Sequence, residues 1–180
     1  MESSNLIRWG GLAAMVAGAL FIIINVITLV ILGFGQGQLE LLVRTVISPV
    51  AGALLLLGLV GLYAYQSKVI DVVGLIGFLL AFFGTVLALA GNVWASMLAY
   101  LGWALFGVSS WQARIYPPMA AILLVIGAVL TAPFSALIVS RLGDILVYVG
   151  LGASTIFAIA IVWLGFALFT GRSEEAQRPT

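Results

Sequence analysis

Residues 71–113 read DVVGLIGFLLAFFGTVLALAGNVWASMLAYLGWALFGVSSWQA, and the division of that stretch decides the fold. After Asp71 it carries no charged residue, and it lacks the alternation of a half-buried strand. As one helix it would be about 65 Å long at about 1.5 Å per residue, twice the roughly 30 Å hydrocarbon core of a bilayer. A break at Gly91-Asn92-Val93-Trp94 resolves this, since Gly and Asn end helices and Trp sits at membrane interfaces. The stretch is therefore read as two helices, 71–92 and 95–113.

Working outward, punctuation and hydropathy mark four more apolar segments, 6–33, 42–66, 117–139 and 144–170. Each has the roughly 17–25 residues needed to cross a bilayer, or slightly more. The whole chain of 180 residues is 64% hydrophobic and only 7% charged, with a mean hydropathy of +1.29. A soluble domain is roughly 45–50% apolar and about 25% charged, and a chain this short has too little interior to hide the excess. A membrane β-barrel needs short alternating strands, whereas these runs are long and continuous, which leaves helices. The expectation is an all-α integral membrane protein, one domain over 1–180, built as a bundle of about six transmembrane helices. The first apolar run exceeds a signal-peptide core of roughly 7–15 residues and is read as a retained span.

Charge placement tests that count. With six spans and a cytoplasmic N-terminus, Arg8, Lys68, Arg114, Arg172 and Arg178 fall inside, and Arg44 and Arg141 outside. With 71–113 as a single crossing, Arg8, Lys68 and Arg141 fall inside, and Arg44, Arg114, Arg172 and Arg178 outside. The positive-inside rule selects six spans with both termini cytoplasmic. Trp9, Tyr63, Tyr65, Trp111, Tyr116 and Trp163 then sit near the inner interface, and Trp94, Tyr100 and Tyr148 near the outer one. Trp103 falls in mid-span without an evident reason.

Helices in lipid associate through small residues. The clearest seam is Gly74, Gly77, Ala81, Gly84, Ala88 and Gly91, whose steps of three and four keep one helix face. Phe78, Phe82 and Phe83 lie off it. Gly11, Ala14, Gly18 and Asn25 form a similar stripe in the first span, and Gly127, Thr131 and Ser135 in the fifth. Lys68 and Asp71 are three apart and are expected to neutralise each other locally.

Chemistry is scarce. The chain has no Cys and no His, and its net charge is +1, so thiol catalysis, histidine ligation and an electrostatic footprint for nucleic acid are all missing. A serine nucleophile needs a base, and the single lysine, Lys68, lies in a loop. All six acids fall at span ends or in the tails, so neither an enzyme nor a metal site is expected. The candidate polar contacts are Asn25, Arg44, Thr131, Ser135, Ser154 and Thr155. Asn25 suits an interhelical hydrogen bond, and Arg44 suits either an anion contact or snorkelling beside Glu40. Thr131 and Ser135 flank Pro133, which frees a backbone carbonyl inside the fifth span. Residues 48–58 (SPVAGALLLLG) also echo 117–127 (PPMAAILLVIG), with Pro49 matching Pro118, the pattern an inverted repeat of three plus three spans would leave.

Arg8-Trp9-Gly10-Gly11-Leu12-Ala13-Ala14-Met15 and Gln112-Ala113-Arg114-Ile115-Tyr116-Pro117-Pro118 resemble patterns in a loose class of uncharacterised small multi-span bacterial inner-membrane proteins. The resemblance covers the span layout, carries no functional motif, and implies a bacterial inner membrane. The functional expectation is an accessory or scaffold subunit of a membrane complex. Its partners would be the lipid bilayer and other subunits, not nucleic acid, and the bound molecule a lipid or hydrophobic pigment. The alternative is a small-solute transporter or substrate-binding membrane component. No cofactor is specified by the sequence.

Overall fold

Local capping signals write several of the helix boundaries, and six helices result among the described residues. The structure is a computed structural model that describes residues 3–34, 38–137 and 144–171. The helices are α1 (Ser3–Phe34), α2 (Gln38–Gln66), α3 (Val72–Leu89), α4 (Val93–Gln112), α5 (Pro118–Leu137) and α6 (Asp144–Thr170). No strand occurs among the described residues. Asp71 caps α3 by accepting the Gly74 N–H at 2.9 Å. At the anticipated break, Gly91 adopts φ +93° and the Asn92 N–H reaches back to the Leu87 carbonyl at 3.0 Å, closing α3. The Asn92 side chain then opens α4 by accepting from the N–H groups of Trp94 and Ala95. Arg114, at φ 52°, and the Pro117-Pro118 pair turn the chain into α5.

The second helix departs from the sequence reading. It begins at Gln38 rather than near 42 and carries Pro49 in its interior. Proline lacks the N–H and crowds the carbonyl four residues back. The chain accommodates it with one π-turn over Val43–Ile47, ended by the Ser48 N–H bonding to the Val43 carbonyl. Pro118, in contrast, opens α5. Both prolines thus stand in the first turn of an α-helical segment, but a π-turn and a helical turn precede Pro49 whereas Pro118 begins its helix.

Consecutive helices pack as antiparallel neighbours, and α6 returns to α1, so the six form a ring. Small residues set the closest approaches. A Cβ on Gly10 would lie 2.5 Å from the Gly61 Cα, and one on Gly58 2.8 Å from the Ala14 Cα, which fixes α1 against α2. Gly11 and Gly165 meet backbone to backbone where α1 crosses α6. The α3 seam faces α4, with Gly77 on Phe106 and Gly102, and Gly84 on Ala95 and Ala99. Of the six seam members, Gly74, Gly77, Ala81 and Gly84 are buried, Ala88 is half-buried, and Gly91 belongs to the turn.

The ring closes least tightly between α2 and α3. There Tyr63 stacks on Phe78, with ring centroids 4.1 Å apart, and Leu89 lies over Gly52. The centre is filled by Leu55, Leu59, Phe106, Leu124, Phe157 and Ile161. Trp103, which had no role in the sequence, is its largest fully buried side chain and meets Phe106 and Phe157 edge to face. Large apolar side chains such as Ile23, Leu57, Phe83, Leu101, Ile126 and Phe166 point outward from all six helices. Four helices, α1, α2, α3 and α6, are long and apolar enough to cross a membrane. In α5 the apolar helix measured over described residues is Pro118–Ala132.

Candidate functional site

The sequence offers few polar groups inside the bundle, and packing gathers several of them into two clusters at opposite ends of the ring, the first of them near an apolar cleft. In the first, Asn25 of α1 is 7% exposed and faces α6 on the same side as Gly11 and Gly18, fourteen and seven residues earlier. Its Nδ2 donates to Ser154 Oγ at 3.2 Å and to Thr155 Oγ1 at 3.1 Å. The Thr155 hydroxyl donates in turn to the Leu151 carbonyl at 2.8 Å, and Ser154 also reaches the Tyr100 hydroxyl of α4. Three of the six candidate residues therefore form one set, bonded to one another across helices. Such mutual bonding relieves the cost that unpaired polar groups carry in an apolar interior.

The remaining candidates do not join it. Thr131 is buried and donates to the Gly127 carbonyl at 2.6 Å, so its hydroxyl does not serve the Val129 carbonyl that Pro133 leaves free. The backbone of Arg44 lies in the π-turn of α2, and that of Ser135 in α5. The side chains of both lie outside the described residues, as does Arg141.

The second cluster, at the opposite end of the ring, was not anticipated. Asp71 Oδ1 accepts from Ser109 Oγ at 2.5 Å as well as from the Gly74 N–H, which together hold its carboxyl below the usual carboxylate range. Asp71 therefore engages α4 instead of pairing with Lys68. Gln66, fully buried at the end of α2, accepts from the Ser110 hydroxyl at 2.9 Å, and Ser110 also approaches the Phe106 carbonyl at 2.7 Å. One hydroxyl has one proton, so it serves these acceptors in turn. The Gln66 Nε2 has no partner among the described residues. The Tyr116 hydroxyl donates to the Leu62 carbonyl at 2.9 Å, and burial, with a smaller contribution from Tyr65, pushes its phenol well above the ordinary range. Tyr116 is thus a buried strut and not an interface anchor. Tyr100 likewise turns toward the ring centre, edge to face with Phe157 at 5.3 Å. The legible signal for this cluster was Gln66 ending one apolar helix and Ser109-Ser110 ending another.

The cleft opens where α2 and α3 meet least and has a volume of ≈180 Å³. Gly52 and Leu55 of α2 and Ala88 and Leu89 of α3 form its sides, and Tyr100, Trp103 and Phe157 its floor. Its lining is mostly apolar, with the hydroxyls of Ser48, Thr85 and Ser96 at intervals. The Thr85 hydroxyl is occupied by the Ala81 carbonyl at 2.6 Å. The Nε1 of Trp103 is buried and has no hydrogen-bond partner among the described residues. A cavity of this size and lining accepts a small apolar group, since engineered apolar cavities of about 150 Å³ stay dry and bind benzene. No group of three or more metal-ligating side chains occurs among the described residues.

No protein-family model matches the chain, and comparison with curated proteins and with solved structures likewise finds no match.

Proposed function

We propose that the chain is a non-enzymatic integral membrane protein, an accessory or scaffold subunit of a membrane complex, that holds an apolar molecule in the α2–α3 cleft. Insertion in a membrane is supported by the outward apolar side chains on every helix, a pattern that soluble monomers rarely expose over a wide area. The cleft carries the ligand reading. It is apolar, it lies at the loosest helix contact, and the buried amide of Asn25 and the half-buried hydroxyls of Ser154 and Thr155 bond to one another. A lipid chain or the apolar body of a hydrophobic pigment fits that chemistry. The charge placement and the resemblance support a bacterial inner-membrane location with both termini in the cytoplasm.

The test is purification in mild detergent, followed by identification of co-purifying proteins and extraction of bound small molecules. Wild-type protein should retain a partner subunit and an apolar molecule. Gly52→Phe, whose Cβ already meets Leu89 Cδ2 at 2.5 Å, should fill the cleft and release the molecule while the helix content stays intact. Wild-type protein that carries neither would defeat the proposal.

One observation favours a second reading, a small-solute transporter. Asn25, Ser154, Thr155 and Tyr100 converge from three helices, as groups lining a path would. Uptake by the protein in liposomes that Asn25→Leu abolishes would install that reading in place of the first.

A further inference from the structure

A second surface of the ring, away from the α2–α3 cleft, combines one cation, two aromatic rings and a long apolar groove. Asn5, Arg8, Trp9 and Leu12 recur at helical spacing on α1, and with Phe169 of α6 they line a cavity of ≈400 Å³. The Arg8 guanidinium carbon sits 5.6 Å from the Phe169 ring centroid. A cation–π contact uses the face of the guanidinium and leaves its in-plane N–H groups able to donate. No carboxylate pairs with Arg8 among the described residues, and none lines the cavity. Arg8 also borders an opening beside Tyr65 and Thr170 at the end of α6, so it can be reached from the aqueous side.

Trp9 and Leu12 border a second space, a groove of ≈320 Å³ between α1 and α2 whose lining is almost wholly apolar. Gly10 and Ala13 create its depth, because their small side chains leave the helix surface bare between Leu6 and Val16. At about 1.5 Å per residue, Leu6 to Val16 spans roughly 15 Å, half of a hydrocarbon core about 30 Å thick. The groove is thus as long as one leaflet is deep, and its charged end coincides with the interfacial Trp9, which is 65% exposed.

The geometry points to a binding site for one anionic phospholipid, with its phosphate on Arg8 and Asn5 and an acyl chain along the α1–α2 groove. This rests on the membrane reading above but not on the occupant of the α2–α3 cleft. An anionic headgroup is selected because, among the described residues, the site offers a guanidinium and no carboxylate for the amine of a zwitterion. Other described charges at the same end, Lys68 and Arg114, add to the basic character, while Asp71 is engaged by Ser109 and Gly74.

The experiment uses the full chain in neutral detergent, titrated separately with dioleoyl phosphatidylglycerol, dioleoyl phosphatidylcholine and inorganic phosphate, and read by thermal unfolding and native mass spectrometry. Phosphatidylglycerol should raise the unfolding temperature saturably and remain bound in the gas phase, whereas phosphatidylcholine and inorganic phosphate should do neither. Arg8→Gln should weaken the phosphatidylglycerol effect about five- to tenfold, the loss expected for one basic residue at an anionic lipid surface. Ala13→Leu, which keeps the charge and fills the groove, should weaken it as well. Equal effects of the two lipids, an undiminished effect in Arg8→Gln, or reproduction of the effect by inorganic phosphate alone would each overturn the site. A chain that stays monodisperse in buffer without detergent would instead overturn the membrane reading.

Discussion

Gly84→Ala adds one methyl group at a close backbone approach of α3 and α4, and its effect can be worked from the geometry. The new carbon would lie 2.7 Å from the Ala99 Cα, 3.0 Å from the Ala95 carbonyl oxygen and closer still to the Ala99 nitrogen. Carbon contacts settle at about 3.5–4.0 Å, so α4 has to retreat by roughly 1 Å. All three obstacles are backbone atoms, which no rotamer change can move aside. The same helix pair also meets at Gly77 and Gly102, so the retreat loosens those contacts too. Overpacking of this kind costs about 1–3 kcal/mol. Alanine is also a better helix former than glycine by about 1 kcal/mol, which masks part of that loss. Gly152→Ala in α6 supplies the control, because a Cβ there meets nothing within 4 Å. The propensity gain is common to both variants, so their difference reports overpacking alone. Equilibrium unfolding in mixed detergent micelles, followed by circular dichroism, should place Gly84→Ala about 1–3 kcal/mol below Gly152→Ala. Equal stability of the two would refute close packing along the α3 seam.

Three further outcomes are expected. Asn25→Leu should lower stability by roughly 0.6–1.7 kcal/mol, the range measured for interhelical hydrogen bonds in a membrane protein, and the loss should shrink when Thr155 is already Val, as a double-mutant cycle in detergent would read. Because hydrogen bonds from Ser109 and Gly74 lower the Asp71 pKa, its stabilising contribution is present above the unfolded value of about 3.9 and is lost as pH falls through the lower folded value. Asp71→Asn should therefore abolish that acid-limb step in unfolding temperature measured against pH, and Ser109→Ala should move it upward. Reporter fusions after Lys68, Asn92 and Arg114 should report inside, outside and inside in turn, and a cytoplasmic signal from the Asn92 fusion would break the six-span topology.

Much of the helix layout was legible because its signals are local. Asp71, Gly91-Asn92 and Pro117-Pro118 act on backbone groups within a few residues, so the ends of α3, α4 and α5 follow from the residues beside them. The start of α2 was missed for a complementary reason. The segment 42–66 already held Pro49 inside it, and the helix reaches further back, to Gln38, through a π-turn over Val43–Ile47 that no local signal announces. The polar set was half legible. Asn25, Ser154 and Thr155 stood out singly as polar residues in apolar spans, but nothing local says that they meet across 129 and 130 residues of chain. Tyr116 was assigned to the inner interface and Gln66 was given no role, because residues at helix ends are expected to meet that interface, whereas the fold buries both.

By itself the sequence determined that the chain is helical, roughly where each helix stops, and that α3 has a face of small residues. Composition and capping act within a turn or two, and no partner is needed to express them. Only the tertiary structure decided the ring order, the loose α2–α3 contact with its cleft, and the burial of Trp103 at the centre. These helices are apolar on nearly every side, so no amphipathic stripe tells which face turns inward. That choice falls to backbone approach at glycines and to hydrogen bonds between helices, and both exist only once two helices are side by side.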